Sequence, residues 1–128
     1  MIWSINQHIS HRISFGRIVS MLNETFNIQL YPDAILRFRS ILVEEYKEIY
    51  EEIRQNMING FLIHTDETQI NVKGLSSAYV WVFANIDSVF YKFRSTRESE
   101  FLGELLQEFQ GVLVSDFYAG YDSLPCAQ

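Results

Sequence analysis

The chain has 128 residues, 48% of them hydrophobic and 15% aromatic, with a formal net charge of −6. That much apolar surface excludes a disordered polypeptide, which lacks the burial to offset its conformational entropy, and no apolar run approaches the roughly 18 residues needed to cross a bilayer, so a folded cytoplasmic protein with no membrane association is expected. The acidic balance argues against gripping DNA by bulk electrostatics, but the excess is local: Glu44, Glu45, Glu48, Glu51 and Glu52 stand together against Lys47, while small basic groupings occur at Arg12 and Arg17, Arg37 and Arg39, and Lys92, Arg94 and Arg97.

Residues 1–13 show no clear period. They carry His8 and His11, which have no further ligand nearby and are expected to be exposed rather than metal-bound. From Ser14, a favoured N-cap residue, the pattern turns helical: Phe15, Ile18, Val19, Leu22 and Phe26 recur at three- and four-residue spacings, and the helix should end near Asn27. Tyr31-Pro32-Asp33 restarts a helix, with proline in its first turn and Asp33 at the positive end of the dipole. The stripe Ile35, Phe38, Leu42, Tyr46, Ile49, Ile53 and Met57 then predicts one amphipathic helix to about Met57, which at ~1.5 Å per residue would span nearly 40 Å. A helix that long commonly links modules or pairs with a second copy, so self-association through residues 33–57 is one expectation. The two helices and their tight joint also fit the outline of a helix-turn-helix, with Arg37 and Arg39 as candidate phosphate contacts. An ordinary packing hairpin is the plainer alternative.

Asn59-Gly60 ends the helical region, giving expected divisions of 1–59 and 60–128. The second of these is rich in strand signals. Phe61-Leu62-Ile63-His64-Thr65-Asp66 is a short apolar run closed by a carboxylate, Lys73-Gly74 turns, residues 78–83 form a strand apolar on both faces, residues 85–87 turn again, and residues 88–93 return. Phe101, Leu102, Leu105, Leu106 and Phe109 make one helical face, stopped at Gln110-Gly111. Residues 112–115 then re-enter the sheet and again end on an aspartate, Asp116. A helical crossover into a last strand implies parallel pairing, most simply beside the first strand, which brings Asp66 and Asp116 to the same edge. Two carboxylates so placed suit a divalent cation, since hard cations prefer oxygen ligands. It also leaves the last strand as an exposed parallel edge. The single Cys126 has no partner for a disulfide or a cysteine metal site and is expected to be a free thiol.

The ordered set His64-Thr65-Asp66-Glu67-Thr68, Tyr79-Val80-Trp81-Val82, Arg97 and Gly111-Val112-Leu113-Val114-Ser115-Asp116-Phe117-Tyr118-Ala119-Gly120-Tyr121 resembles the catalytic domain of DDE transposases of the insertion sequence 66 family. In that family the first acid lies in a histidine-x-aspartate-glutamate-threonine motif, and the second opens an aspartate-x-tyrosine-x-x-tyrosine motif. The match lies in residues 61–124; the preceding helices resemble the segment before the catalytic core. The resemblance implies an α+β, ribonuclease H-like fold: a helical segment, three antiparallel strands, a helix and a parallel fourth strand. It further implies DNA transposition by Mg2+- or Mn2+-dependent phosphodiester hydrolysis and strand transfer, with transposon ends and target DNA as partners. Asp66 would bridge two ions and Asp116 would hold one. The family's third acid, a glutamate on a later helix, would come after Leu124-Pro125-Cys126, so a fragment that binds metal weakly and does not cut DNA alone is expected. The alternative is a non-catalytic DNA-binding or self-association module of the same descent.

The neighbours of these acids have plainer roles to weigh. Successive strand side chains face opposite ways, so Glu67 is expected to make structural hydrogen bonds, whereas His64 shares the face of Asp66 and borders the site or is a satisfied core histidine. Trp81 belongs to the core. Arg94 and Arg97 either meet DNA phosphates or are simply solvated.

Overall fold

A computed structural model describes residues 1–98, 100–116 and 121. Cys126 and residues 117–120 of the second motif, Tyr118 among them, lie outside the described residues. In chain order the elements are α1 (Ile2–His11), α2 (Phe15–Phe26), α3 (Pro32–Glu45), α4 (Lys47–Ile58), β1 (Leu62–Ile70), β2 (Ala78–Ala84), β3 (Val89–Arg94), α5 (Glu100–Leu105) and β4 (Val112–Val114), an α+β arrangement. The chain forms two compact units, Met1–Glu48 and Ile49–Gln128.

The first unit begins with a helix that the sequence reading does not predict. In α1, Ile2, Ile5 and Ile9 recur at spacings of three and four on one side of the helix and line the same apolar cleft, but only Ile5 is buried, Ile2 and Ile9 being 60% and 70% exposed. Arg12 takes a left-handed conformation (φ 55) and the Ile13 N–H bonds back to the Gln7 carbonyl at 3.2 Å, which ends the helix. His8 is half-buried rather than exposed. Its Nδ1 lies 2.9 Å from the Ile13 carbonyl and must donate, because a carbonyl only accepts, and its ring packs on Phe15.

The expected start and stop of α2 are both present. The Ser14 hydroxyl accepts the Arg17 N–H at 3.3 Å, and Asn27 turns left-handed (φ 52). Asn23 then clasps both backbone groups of Leu30 at 3.0 and 3.1 Å, which fixes the approach to α3. Ile5, Ile18, Val19 and Ile35 form this unit's core, with Phe38 and Leu42 packed against it.

The single long helix does not form. The chain leaves helical geometry at Tyr46 (φ −94, ψ 5) and splits into α3 and α4. The cause is visible in the stripe itself, which serves two cores. Ile35, Phe38 and Leu42 pack in the first unit, whereas Tyr50, Ile53, Met57 and Ile58 pack with the sheet. Tyr46 and Ile49, between them, are 46% and 48% exposed and belong to neither.

In the second unit the strand order is β3-β2-β1-β4. β1 with β2 and β2 with β3 are antiparallel, and β4 runs parallel to β1. The first hairpin closes through a turn in which the Leu75 N–H reaches the Val72 carbonyl at 3.1 Å. Gly74 supplies the positive φ (89) that the third residue of such a turn needs. In the second, the Asn85 side chain accepts from the Asp87 and Ser88 N–H groups, a common side-chain mimic of a backbone turn.

Trp81, Phe83, Phe90 and Leu113 on the sheet meet Phe101, Leu102, Leu106 and Phe109 in one buried core. Regular helix in α5 stops at Leu105, short of the apolar face expected to Phe109; Leu106 and Phe109 bury from turns instead. Gly111 then passes so close to β1 that a Cβ there would lie 2.4 Å from the Phe61 carbonyl oxygen. β4, three residues long, is an edge of the sheet as expected, with Val112 and Val114 each 42% exposed.

Candidate functional site

Burial alternates along β1. Ile63 and Thr65 are buried, His64 and Asp66 are exposed, and the Glu67 side chain is only 3% accessible. The two motif acids therefore face opposite sides of the sheet, as the two-residue period of a strand requires. β1 does not end at Asp66, as the sequence pattern had implied, but continues to Ile70 paired with β2, where Asp66 lies opposite Val82. It is β4 that stops.

The parallel register pairs Leu62 with Val112, Ile63 with Leu113 and His64 with Val114. Two residues beyond this last pair stand Asp66, still within β1, and Asp116, just past the end of β4. The alternation of exposure in β4 continues past its end, and Asp116 is exposed as Asp66 is. One Asp66 oxygen accepts the Glu67 N–H at 2.8 Å. His64 lies one step back on the same face.

On the core side Glu67 is held at both oxygens. Oε1 accepts from the Arg97 guanidinium, with Nε at 2.9 Å, and Oε2 accepts from the Tyr121 hydroxyl at 3.0 Å. Tyr121 is fully buried, edge-on to Trp81 at 5.9 Å. Burial is the main cause that raises its phenol above the ordinary tyrosine range; the Thr65 hydroxyl pulls the other way, and the Glu67 and Asp116 charges add to the rise. The Tyr121 contact is the part that sequence reasoning missed. Its signal was the parity of Glu67: a carboxylate on the core face of a strand must find a cation or a donor.

The remaining candidates lie elsewhere. The Arg94 guanidinium sits 4.3 Å over the Phe101 ring. It lines a polar cavity of about 380 Å³ with Arg54, Lys92, Glu51 and Glu104. Arg37 and Arg39 are exposed on α3, and Arg39 borders an apolar cleft of about 370 Å³ lined by Ile2, Ile9, Leu42, Val43 and Tyr46.

Among the described residues no group of three or more His, Cys, Asp or Glu side chains is placed to hold a metal ion. The aspartate pair nevertheless suits Mg2+, which is commonly held by one or two carboxylates with water and substrate phosphate completing the shell. Among the described residues no helix is long and apolar enough to cross a membrane.

The family model of the Transposase IS66 family matches residues 2–128. No curated protein and no solved structure matches the chain.

Proposed function

Because the chain belongs to the IS66 transposase family, we propose that its sheet carries two acids of a DDE-type, ribonuclease H-like catalytic centre, Asp66 and Asp116, acting in DNA transposition. The observation that supports this is the parallel pairing of β1 with β4, whose last pair, His64 and Val114, lies two residues before Asp66 and Asp116. The strand order β3-β2-β1-β4, with only β4 parallel, supports the ribonuclease H-like assignment.

A divalent cation bound there, Mg2+ or Mn2+, supplies activation of water and neutralisation of charge on the leaving oxygen. The chain's own groups do the rest. Asp66 and Asp116 present oxygens to the cation from the exposed face, and His64 borders them. Glu67, turned to the core, is not a ligand. Arg37 and Arg39 are the free-standing candidates for DNA phosphates, since Arg94 rests on Phe101 and Arg97 is engaged by Glu67. Transposon ends and target DNA are the partners of the parent enzyme. With no third acid placed beside the pair among the described residues, these 128 residues hold the cation weakly and do not cut DNA by themselves.

Titrating Mn2+ into the chain and into Asp66→Asn and Asp116→Asn, alongside a nicking assay on a transposon-end duplex, tests both statements. Weak binding abolished by either substitution, with no nicking, is expected; unaltered binding in both variants, or robust nicking, overturns the corresponding part.

The apolar cleft between α1 and α3 favours a second reading, self-association, with the exposed Ile2, Ile9, Val43 and Tyr46 as the contact. Sedimentation at several concentrations decides it, and a strict monomer removes it.

A further inference from the structure

The core-facing side of β3 changes character along its length. Phe90 is buried, its ring 4.6 Å from that of Tyr50 on α4. Lys92 and Arg94 follow at alternate positions, hence on the same face, and are only half-buried. With Arg54 of α4 they line a polar cavity of about 380 Å³, whose acids, Glu51 and Glu104, are exposed. We propose that this cavity is an anion site that takes a single phosphate group, borne by a nucleotide or by DNA.

Three cations against two acids leave the cavity positive in a chain whose formal net charge is −6. The excess rests on Lys92 and Arg94. Arg54 is already engaged, its Nε donating to Glu51 at 2.7 Å. The ion pairs among the described residues join Lys47, Arg54 and Arg97 to glutamates, and the side chains of Lys92 and Arg94 take part in no ion pair or hydrogen bond. A cation held half out of water without a bonded anion is costly, and a phosphate between the two removes that cost.

The geometry suits a tetrahedral oxyanion. The Arg94 guanidinium carbon lies 4.3 Å over the Phe101 ring, a contact that holds the group in place without supplying an acceptor for its N–H donors. A planar fork of donors beside a compact ammonium matches phosphate oxygens. The volume falls at the small end of ligand sites, roughly 300–1,000 Å³, which leaves room for the sugar attached to the phosphate.

This site is separate from the aspartate pair. Asp66 lies opposite Val82, and Val82 opposite Tyr91, so Tyr91 shares the open face of Asp66 and its neighbour Lys92 faces the other way. The inference therefore does not rest on the metal-site reading, and the failure of one leaves the other standing.

The test titrates inorganic phosphate into the 128-residue chain at low ionic strength and follows the side-chain N–H signals of Arg94 by NMR. Saturable shifts are expected. Lys92→Gln and Arg94→Gln should each weaken binding about tenfold or more, the low end for losing a hydrogen bond to a charged group, whereas Arg39→Gln should change nothing. Glu104→Gln should tighten binding about threefold, roughly what one unit charge about 7 Å away is worth at the dielectric of water. Damage to the fold does not produce such a gain. Shifts that never saturate, or wild-type affinity in Lys92→Gln, would overturn the proposal. Should Arg94→Gln melt too low for the assay, Lys92→Gln and Glu104→Gln, moving affinity in opposite directions, carry the comparison. Two further titrations, with adenosine monophosphate and with a DNA duplex, identify the bearer. A duplex that shifts the same Arg94 signals and loses about one unit of salt slope in Lys92→Gln points to DNA; a mononucleotide that shifts them while the duplex does not points to a free nucleotide.

Discussion

Replacing Gly111 by alanine should damage the junction of β1 and β4 far more than its single added methyl suggests. The new Cβ would lie 2.4 Å from the Phe61 carbonyl oxygen, 2.6 Å from its carbon and 2.7 Å from the Phe109 ring. Two of these neighbours are backbone and the third is a fully buried side chain, so no flexible tip can yield. Relief to even a tight contact of about 3 Å requires a shift of roughly half an ångström or more, enough to stretch the Val112 N–H to Phe61 carbonyl bond, now 2.8 Å. Overpacking of this kind costs about 1–3 kcal/mol and the weakened hydrogen bond about 1 more, so a loss of roughly 2–4 kcal/mol is expected. For a chain of this size that lowers the melting temperature by roughly 10 °C. Gly103 is the control: a Cβ there meets nothing within 4 Å, and alanine in α5 should stabilise slightly. Thermal melts of the two variants side by side are the assay. Equal melting temperatures would mean that the tight passage of Gly111 past Phe61 is not a feature of the folded chain.

Other expected outcomes are as specific. Ser14→Ala should lose about 1 kcal/mol in urea unfolding, since the hydroxyl satisfies a first-turn N–H of α2. The raised phenols of Tyr121 and, mainly through its own burial, Tyr50 contribute stability that is complete below the unfolded tyrosine value of about 10. That contribution is lost as pH rises above it, because the unfolded chain ionises first; denaturation from about pH 9 to about pH 11.5 should show the decline, and Tyr121→Phe should flatten it. Removing Arg37 and Arg39 together should lower the salt dependence of DNA binding by a slope of about 2, read from affinities at several salt concentrations. An unchanged slope would take α3 out of the DNA contact.

The outline of the fold was legible in the sequence wherever a local rule governed it. The Ser14 cap, the Pro32 start, the turns at Gly74 and Asn85 and the parallel return at β4 each stem from one residue type or one change of period. The break at Tyr46 was not legible, because its cause lies in two separate cores claiming the two halves of an unbroken stripe. Helix α1 carries a weak signal: Ile2, Ile5 and Ile9 recur at three- and four-residue spacings, but the run is short and only Ile5 is buried. In the site, the shared face of His64 and Asp66 came from the strand period. The bond from Tyr121 to Glu67 did not, since it joins residues 54 positions apart and only the folded sheet brings them together.

The central claim, that Asp66 and Asp116 serve one cation, is tested most directly by anomalous scattering from a crystal of the chain soaked in Mn2+. A single peak touching both carboxylates on the open face between β1 and β4 is expected. Carboxylates too far apart to share an ion, or manganese bound only at other surface acids, would contradict it.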